Sequence, residues 1–304
     1  MYYTGFADEA AVDLAGQISA TKELGWHCIE SRCIDNVNIH DLAESDFEKA
    51  CELLAENNIS VDCFGSAVAN WACNPFKEAD FKKSCDQLRR ALERMKKLNC
   101  RKIRAMSFTA QWEKAAFDPE VEKQVFPKVE YLAKMCEDAG VLYLHENCNN
   151  YGGQSWKHTL KLIENVKTPA FRLIFDTGNP VMNYDRSNGD KLEKRQNSWE
   201  FYRNVRDFVE HVHIKDGFCD APGIGCGQHY TFPGEGDGCV KEIVRDLLSR
   251  GYDAGFSMEP HMVKVFHEKE GKSDARECWN NYVEYGRRFM KLVDSAKAEL
   301  AGQK

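Results

Sequence analysis

The sequence predicts an α/β fold: a single closed (β/α)8 barrel, eight parallel strands each followed by a helix. Three observations predict it. Short apolar runs that end in polar residues alternate with amphipathic segments eight times along the chain. The strand-like runs begin roughly 30 to 45 residues apart, the spacing of a barrel of ~250 residues or more. The stretch after the first run, G-F-A-D-E-A, is not the glycine fingerprint that an open, dinucleotide-binding sheet would carry there.

The elements follow in order. Strands are expected at 2–6, 27–31, 59–65, 101–107, 141–147, 171–177, 208–216 and 255–260. Helices are expected at 13–24, 46–56, 81–98, 125–139, 158–166, 199–207, 240–250 and from about 274 to 300. In the second of these, Phe47, Ala50, Cys51, Leu54 and Ala55 fall on one helical face. Gly25 and Gly140 close two helices, and Pro180 stops the sixth strand from continuing. Residues 217–238, rich in glycine, read as a long loop. With no linker, composition break or low-complexity run, residues 1–304 are expected to form one barrel domain with a C-terminal helix.

Composition narrows the function classes. Hydrophobic residues make up 43% and charged residues 29%, which suits a sizeable globular core. The net charge of -7, without a basic block, argues against nucleic acid as a partner. No apolar run reaches membrane-spanning length, and the N-terminus turns acidic too early for a signal peptide, so a cytoplasmic location is expected. Thirteen cysteines, scattered and without a C-x-x-C pair, are expected to be reduced and mostly buried.

The stretch V-E-H-V-H-I-K-D-G, Val209–Gly217, organises the rest. His211 and His213 share one face of a strand, while Val212 and Ile214 turn to the other. Barrel enzymes carry their sites at the C-terminal strand ends. Those ends present Glu30 and Arg32, Arg104, His145-Glu146-Asn147, Asp176, His211/His213/Lys215/Asp216, and Glu259-Pro260-His261. Glu146, Asp176, His213 and Glu259 come from four successive strands. Three carboxylates and one imidazole suit Mn²⁺ best, with Co²⁺, Mg²⁺ or Zn²⁺ as alternatives. For Asp176, just before T-G-N-P, helix capping is a competing role.

These motifs resemble a family. G-F-A-D-E-A, L-H-E-N, F-D-T-G-N-P, H-V-H-I-K-D, P-G-E-G-D and M-E-P-H together look like the sugar phosphate isomerase/epimerase group of xylose isomerase-like TIM barrels. The resemblance implies one divalent metal held by Glu146, Asp176, His213 and Glu259, with Glu146 and Glu259 also serving as an acid/base pair. It implies a keto sugar as substrate. A cation on the carbonyl and adjacent hydroxyl would stabilise the enediolate left when a carboxylate takes the α proton. Glu30, Arg104, His211, Lys215, Asp216 and His261 are the candidate substrate contacts, and the 217–238 loop is expected to cover the barrel mouth.

Two departures bear on the substrate. D-T-G-N stands where the keto-sugar 3-epimerases carry a substrate-contacting His, and I-K-D-G lacks their substrate-binding Arg. His145, beside the glutamate ligand, is similar in position to a base in the catalytic subunit of C-glycoside deglycosylating enzymes. That likeness implies a second reading: a lyase on 3-keto glycosides with a small second subunit. The partners expected are thus a small sugar or glycoside, further copies of this chain, and in the second reading that subunit. Nine histidines and no basic groove set the chain apart from the three-zinc endonucleases of this fold.

Overall fold

The structure is a computed structural model that describes residues 1–263 and 274–302. Eight parallel strands form its main sheet: β1 (Tyr2–Gly5), β2 (Cys28–Ser31), β3 (Ser60–Gly65), β4 (Lys102–Ala105), β5 (Leu142–Glu146), β6 (Phe171–Asp176), β7 (Val209–Ile214) and β8 (Gly255–Met258). Their order is β1-β8-β7-β6-β5-β4-β3-β2, so each strand lies beside its neighbours in sequence and the sheet curls into a barrel. At the last seam, between β1 and β2, no backbone ladder is present among the described residues. The Thr4 hydroxyl donates instead to the Cys28 carbonyl (3.3 Å).

Helices α1 (Leu14–Glu23), α2 (Glu44–Glu56), α3 (Glu78–Lys97), α4 (Pro119–Asp138), α5 (Trp156–Asn165), α6 (Ser198–Val205), α7 (Val240–Ser249) and α8 (Ala275–Ala301) surround the strands. Local chemistry sets their ends. Asp13 and Asp274 accept backbone N–H groups of the first turns of α1 and α8, satisfying donors with no partner inside the helix. Pro119 starts α4 where its missing N–H costs nothing. Gly25 and Gly140 follow α1 and α4 with φ of 73° and 69°, a conformation a side chain would strain. α4 starts six residues before the expected 125, and Pro127 lies inside it.

The main core fills the space between strands and helices, with Val212, Ile214, Phe175 and Phe256 facing it from the sheet. A smaller apolar cluster, Cys63, Leu144 and Ile174, plugs the barrel interior. On β5 this alternation decides orientation: Leu144 faces the interior, so Glu146 does too and His145 faces outward. The glycine-rich stretch is not simply a loop. Asp216–Cys219 pairs antiparallel with Gln228–Thr231, making a hairpin that rises from the end of β7. All thirteen cysteines are free thiols. Among the described residues no helix is long and apolar enough to cross a membrane.

Candidate metal centre and pocket

The register of the parallel strands brings the strand-end residues together. Asp176 pairs with His213 across β6 and β7, and His213 pairs with Ser257 on β8, just before Glu259. One ligand atom each from Glu146, Asp176, His213 and Glu259 lies within 4.8 Å of the other three, and all four side chains are buried. His213 turns Nδ1 toward this cluster, 3.3 Å from Glu146 Oε1 and 3.9 Å from both Asp176 Oδ2 and Glu259 Oε2.

Asp176 fills the capping role with one oxygen and leaves the other facing the cluster. Its Oδ1 accepts the N–H groups of Gly178 (2.9 Å) and Asn179 (2.7 Å), capping the short helical turn Asn179–Met182. Its Oδ2 is buried and has no hydrogen-bond partner among the described residues, although the Lys215 ammonium stands 3.1 Å away. This oxygen, ion-paired to Lys215, forms with two further carboxylates and a ring nitrogen a donor set that fits a divalent cation.

The surroundings are charged and buried. Arg104 Nε donates to Glu146 (2.6 Å), Lys215 Nζ to Glu259 (2.7 Å) and Arg32 Nη1 to the other Glu259 oxygen (2.8 Å). Burial alone would raise the carboxyls. Arg104 and His213 nevertheless hold Glu146 down at about 2, and Lys215, His261, Arg32 and His213 hold Glu259 well below the usual range. Asp176 goes the other way, to about 6: burial and the neighbouring glutamates outweigh Lys215. Burial disfavours a charged His213, yet Glu30 and Glu146 raise it to about 10.

The remaining candidates separate into layers. Glu30 and His211, each wholly buried, lie in the barrel interior behind His213: Glu30 accepts from Nε2 of His211 (2.9 Å) and of His213 (3.1 and 3.2 Å). Neither lines the pocket. His145 does not join the site. Its Nε2 meets Ser107 Oγ (2.9 Å) and Asn150 Oδ1 (3.2 Å), and its ring packs against Gly152 and Phe171 outside the barrel wall. Asp216 anchors the hairpin instead of facing a substrate. Its two oxygens accept the N–H groups of Gly217, Gly234, Gly236 and Gly238 at 2.7–3.1 Å.

Arg104, Lys215, Glu146, Glu259 and His261 line a pocket with room of about 200 Å³. That is below the ~300–1,000 Å³ of drug-sized sites and suits a small molecule. The sequence reading missed several of its residues. Asn179, whose Nδ2 reaches Glu146 Oε1 (3.3 Å), was signalled by D-T-G-N only as a departure from a family pattern. Asp8 and Glu9, which do not line the pocket but bind Arg32 and His261 behind it, lie in the noted A-D-E-A motif. Trp71, Asn149 and Ile224 come from loops, where periodicity gives no signal, and Tyr230 from the second strand of the hairpin.

The family model for xylose isomerase-like TIM barrels matches residues 18–282. The chain belongs to that family. Among solved structures, this xylose isomerase-like barrel is similar to a D-tagatose 3-epimerase-like protein (TM-score 0.74, 16% identity, covering 99% of this chain and 100% of the other). It is similar also to the IOLI protein with a bound zinc atom (TM-score 0.71, 15% identity, 97% and 99%). A third likeness is to a xylose isomerase-like TIM barrel protein from Mycobacterium smegmatis in complex with magnesium (TM-score 0.66, 16% identity, 96% and 97%). At these identities the likeness is one of fold. No curated protein sequence matches the chain.

Proposed function

We propose that this chain is a divalent-metal-dependent sugar isomerase or epimerase that moves a proton at the carbon next to a ketose carbonyl. The observation that carries the reading is the convergence of Glu146, Asp176, His213 and Glu259 within 4.8 Å, with Glu146 and Glu259 lining the pocket above. The family match and the epimerase-like, zinc-bearing and magnesium-bearing neighbours support it.

The residues would work as follows. Glu146, Asp176, Glu259 and Nδ1 of His213 would hold the cation, with Mn²⁺ favoured by the oxygen-rich donors. When bound, it would polarise the substrate carbonyl and adjacent hydroxyl and stabilise the charge that develops there. Glu146 and Glu259 line the pocket from β5 and from the end of β8, three strands apart in the sheet. Each is kept ionised by its cation partner, the state a proton acceptor needs. One glutamate would take the α proton, and the other, protonated from solvent for that step, would deliver a different proton to the opposite face and so invert the carbon. Arg104 and Lys215 set the ionisation of the pair and present their remaining N–H groups to substrate hydroxyls. The hairpin after β7, whose Ile224, Gln228 and Tyr230 line the pocket, limits water at the reacting carbon. The lyase reading has no comparable support, because His145 faces away from the pocket.

Incubation of the purified protein with Mn²⁺ in D₂O and a panel of free ketoses and 3-keto glycosides tests the reading. Deuterium uptake at the carbon next to the carbonyl, with appearance of the epimer or aldose, is expected. Aglycone release without epimer, or no uptake from any member of the panel, would contradict it.

A further inference from the structure

Four carboxamides line the pocket beside its charged groups. Asn149 comes from the loop after β5, Asn179 and Asn183 from the segment after β6, and Gln228 from the hairpin after β7. Glu146, Glu259, Arg104 and Lys215 are almost wholly buried, whereas Asn179 and Gln228 are half-buried and Asn149 is exposed. The amides therefore lie nearer the mouth. Three of them are oriented by partners that can play only one part. The Glu146 carboxylate can only accept, so it takes Nδ2 of Asn179 (3.3 Å). The backbone carbonyl of Asn179 likewise takes Nδ2 of Asn183 (2.9 Å). The Trp112 indole can only donate, and it meets Oδ1 of Asn149 (3.0 Å).

The opposite end of each amide is left over. Oδ1 of Asn179, Oδ1 of Asn183, Nδ2 of Asn149 and Nε2 of Gln228 have no hydrogen-bond partner among the described residues. None of the four is a buried orphan, so each opens to space that a ligand can enter. Two are acceptors and two are donors. A hydroxyl does both, so a carbon chain bearing several hydroxyls satisfies such a mixed set. Charge narrows the choice further. The basic side chains lining the pocket are Arg104, Lys215 and His261. Arg104 is bound to Glu146, Lys215 to Asp176 and Glu259, and His261 to Glu9. A phosphate among the amides would thus lose water without gaining a counter-charge.

We propose that Asn149, Asn179, Asn183 and Gln228 are specificity-determining residues, which read the hydroxyls on carbons beyond the reacting one and reject a terminal phosphate there. The inference rests on the isomerase/epimerase reading for the reacting end of the pocket. It narrows the substrate of that reading to an unphosphorylated ketose held by neutral amides along its far carbons.

Alditols test this without turnover, because they carry a sugar's hydroxyls but no carbonyl. Calorimetry on the full chain, at matched free Mn²⁺, would compare ribitol, D-mannitol and D-sorbitol with their terminal phosphate esters. At least one alditol should bind, and its ester should bind about tenfold or more weakly, since the added charge meets carboxylates and no free cation. Gln228→Leu and Asn183→Leu, checked by thermal unfolding, should each weaken that alditol about three- to tenfold, the scale of one net hydrogen bond. Their Mn²⁺ affinity should stay unchanged. Gln228→Lys, which supplies a cation at a half-buried position, should shift the preference toward the ester. No binding of any alditol, an ester that binds as tightly as its parent, affinity that survives the leucine substitutions, or a lysine variant that still excludes the ester would overturn the proposal. As no probe reacts, these outcomes are independent of whether the reacting end exchanges deuterium.

Discussion

Both carboxylate oxygens of Glu30 face Nε2 of His213, at 3.1 and 3.2 Å, on the side of the ring opposite Glu146, Asp176 and Glu259. This fixes the ring so that Nδ1 points at Glu146, Asp176 and Glu259. A carboxylate behind a ligating histidine orients it and raises its basicity. Glu30→Gln keeps the volume but removes the charge. Its affinity for Mn²⁺, measured by calorimetry, should fall about 10–100-fold while the fold persists. An unchanged affinity would mean that His213 is oriented by packing against Phe6 alone.

His145→Ala should act on stability. The ring bonds Ser107 and Asn150 and packs against Gly152, all away from the pocket. Thermal unfolding should show a loss of about 1–3 kcal/mol from the abandoned partners. Solvent-hydrogen exchange into substrate should stay within about tenfold of wild type. A drop of ~10²–10⁴-fold with intact metal content would restore His145 as the base.

How much of this was legible in the sequence depended on the kind of signal. Strand alternation is local, so the inward set of Glu146, Asp176, His213 and Glu259 could be read once a barrel was assumed. The same rule turned His145 outward. Depth along the barrel is not local. Nothing in the order of residues told that Glu30 and His211 stop short of the pocket, since that depends on strand tilt and stagger. Nor could Asp216 be read as an anchor, because Gly234, Gly236 and Gly238 meet it only after the hairpin has folded back. The hairpin itself was hidden by its glycines, and the start of α4 by Pro127. For Asp176 the capping role is seen at Oδ1, while Oδ2 is the atom left to the proposed metal.

The Asp216 anchor gives a test of the hairpin. Asp216→Ala would leave four backbone N–H groups without their acceptor. Limited proteolysis should then cut between residues 217 and 238 at protease levels that leave wild type whole. The KM for the accepted sugar should rise as the mouth opens. Resistance to cleavage together with unchanged KM would show that the hairpin stands without Asp216.

Acid should weaken the protein through His158. This ring is stacked on Phe117 (4.3 Å), and Nε2 bonds the Ala116 carbonyl. Burial pushes it down to about 4. An unfolded histidine titrates near ~6.5, so the folded state favours the neutral ring. The contribution is fully present above about pH 6.5 and is lost as pH falls toward about 4, a loss on the order of 3 kcal/mol. His158→Gln should be less stable at neutral pH but show a flatter dependence of denaturation midpoint on pH in that window. An unchanged slope would remove His158 from the acid response.

The central claim is that one divalent cation belongs among Glu146, Asp176, His213 and Glu259. Anomalous diffraction from crystals grown with Mn²⁺ tests it most directly. The account predicts one strong peak bounded by Oε atoms of both glutamates, Oδ2 of Asp176 and Nδ1 of His213, with Lys215 displaced from Asp176. Absence of a peak there, with the Lys215 ammonium still on Asp176 and Glu259, would contradict it.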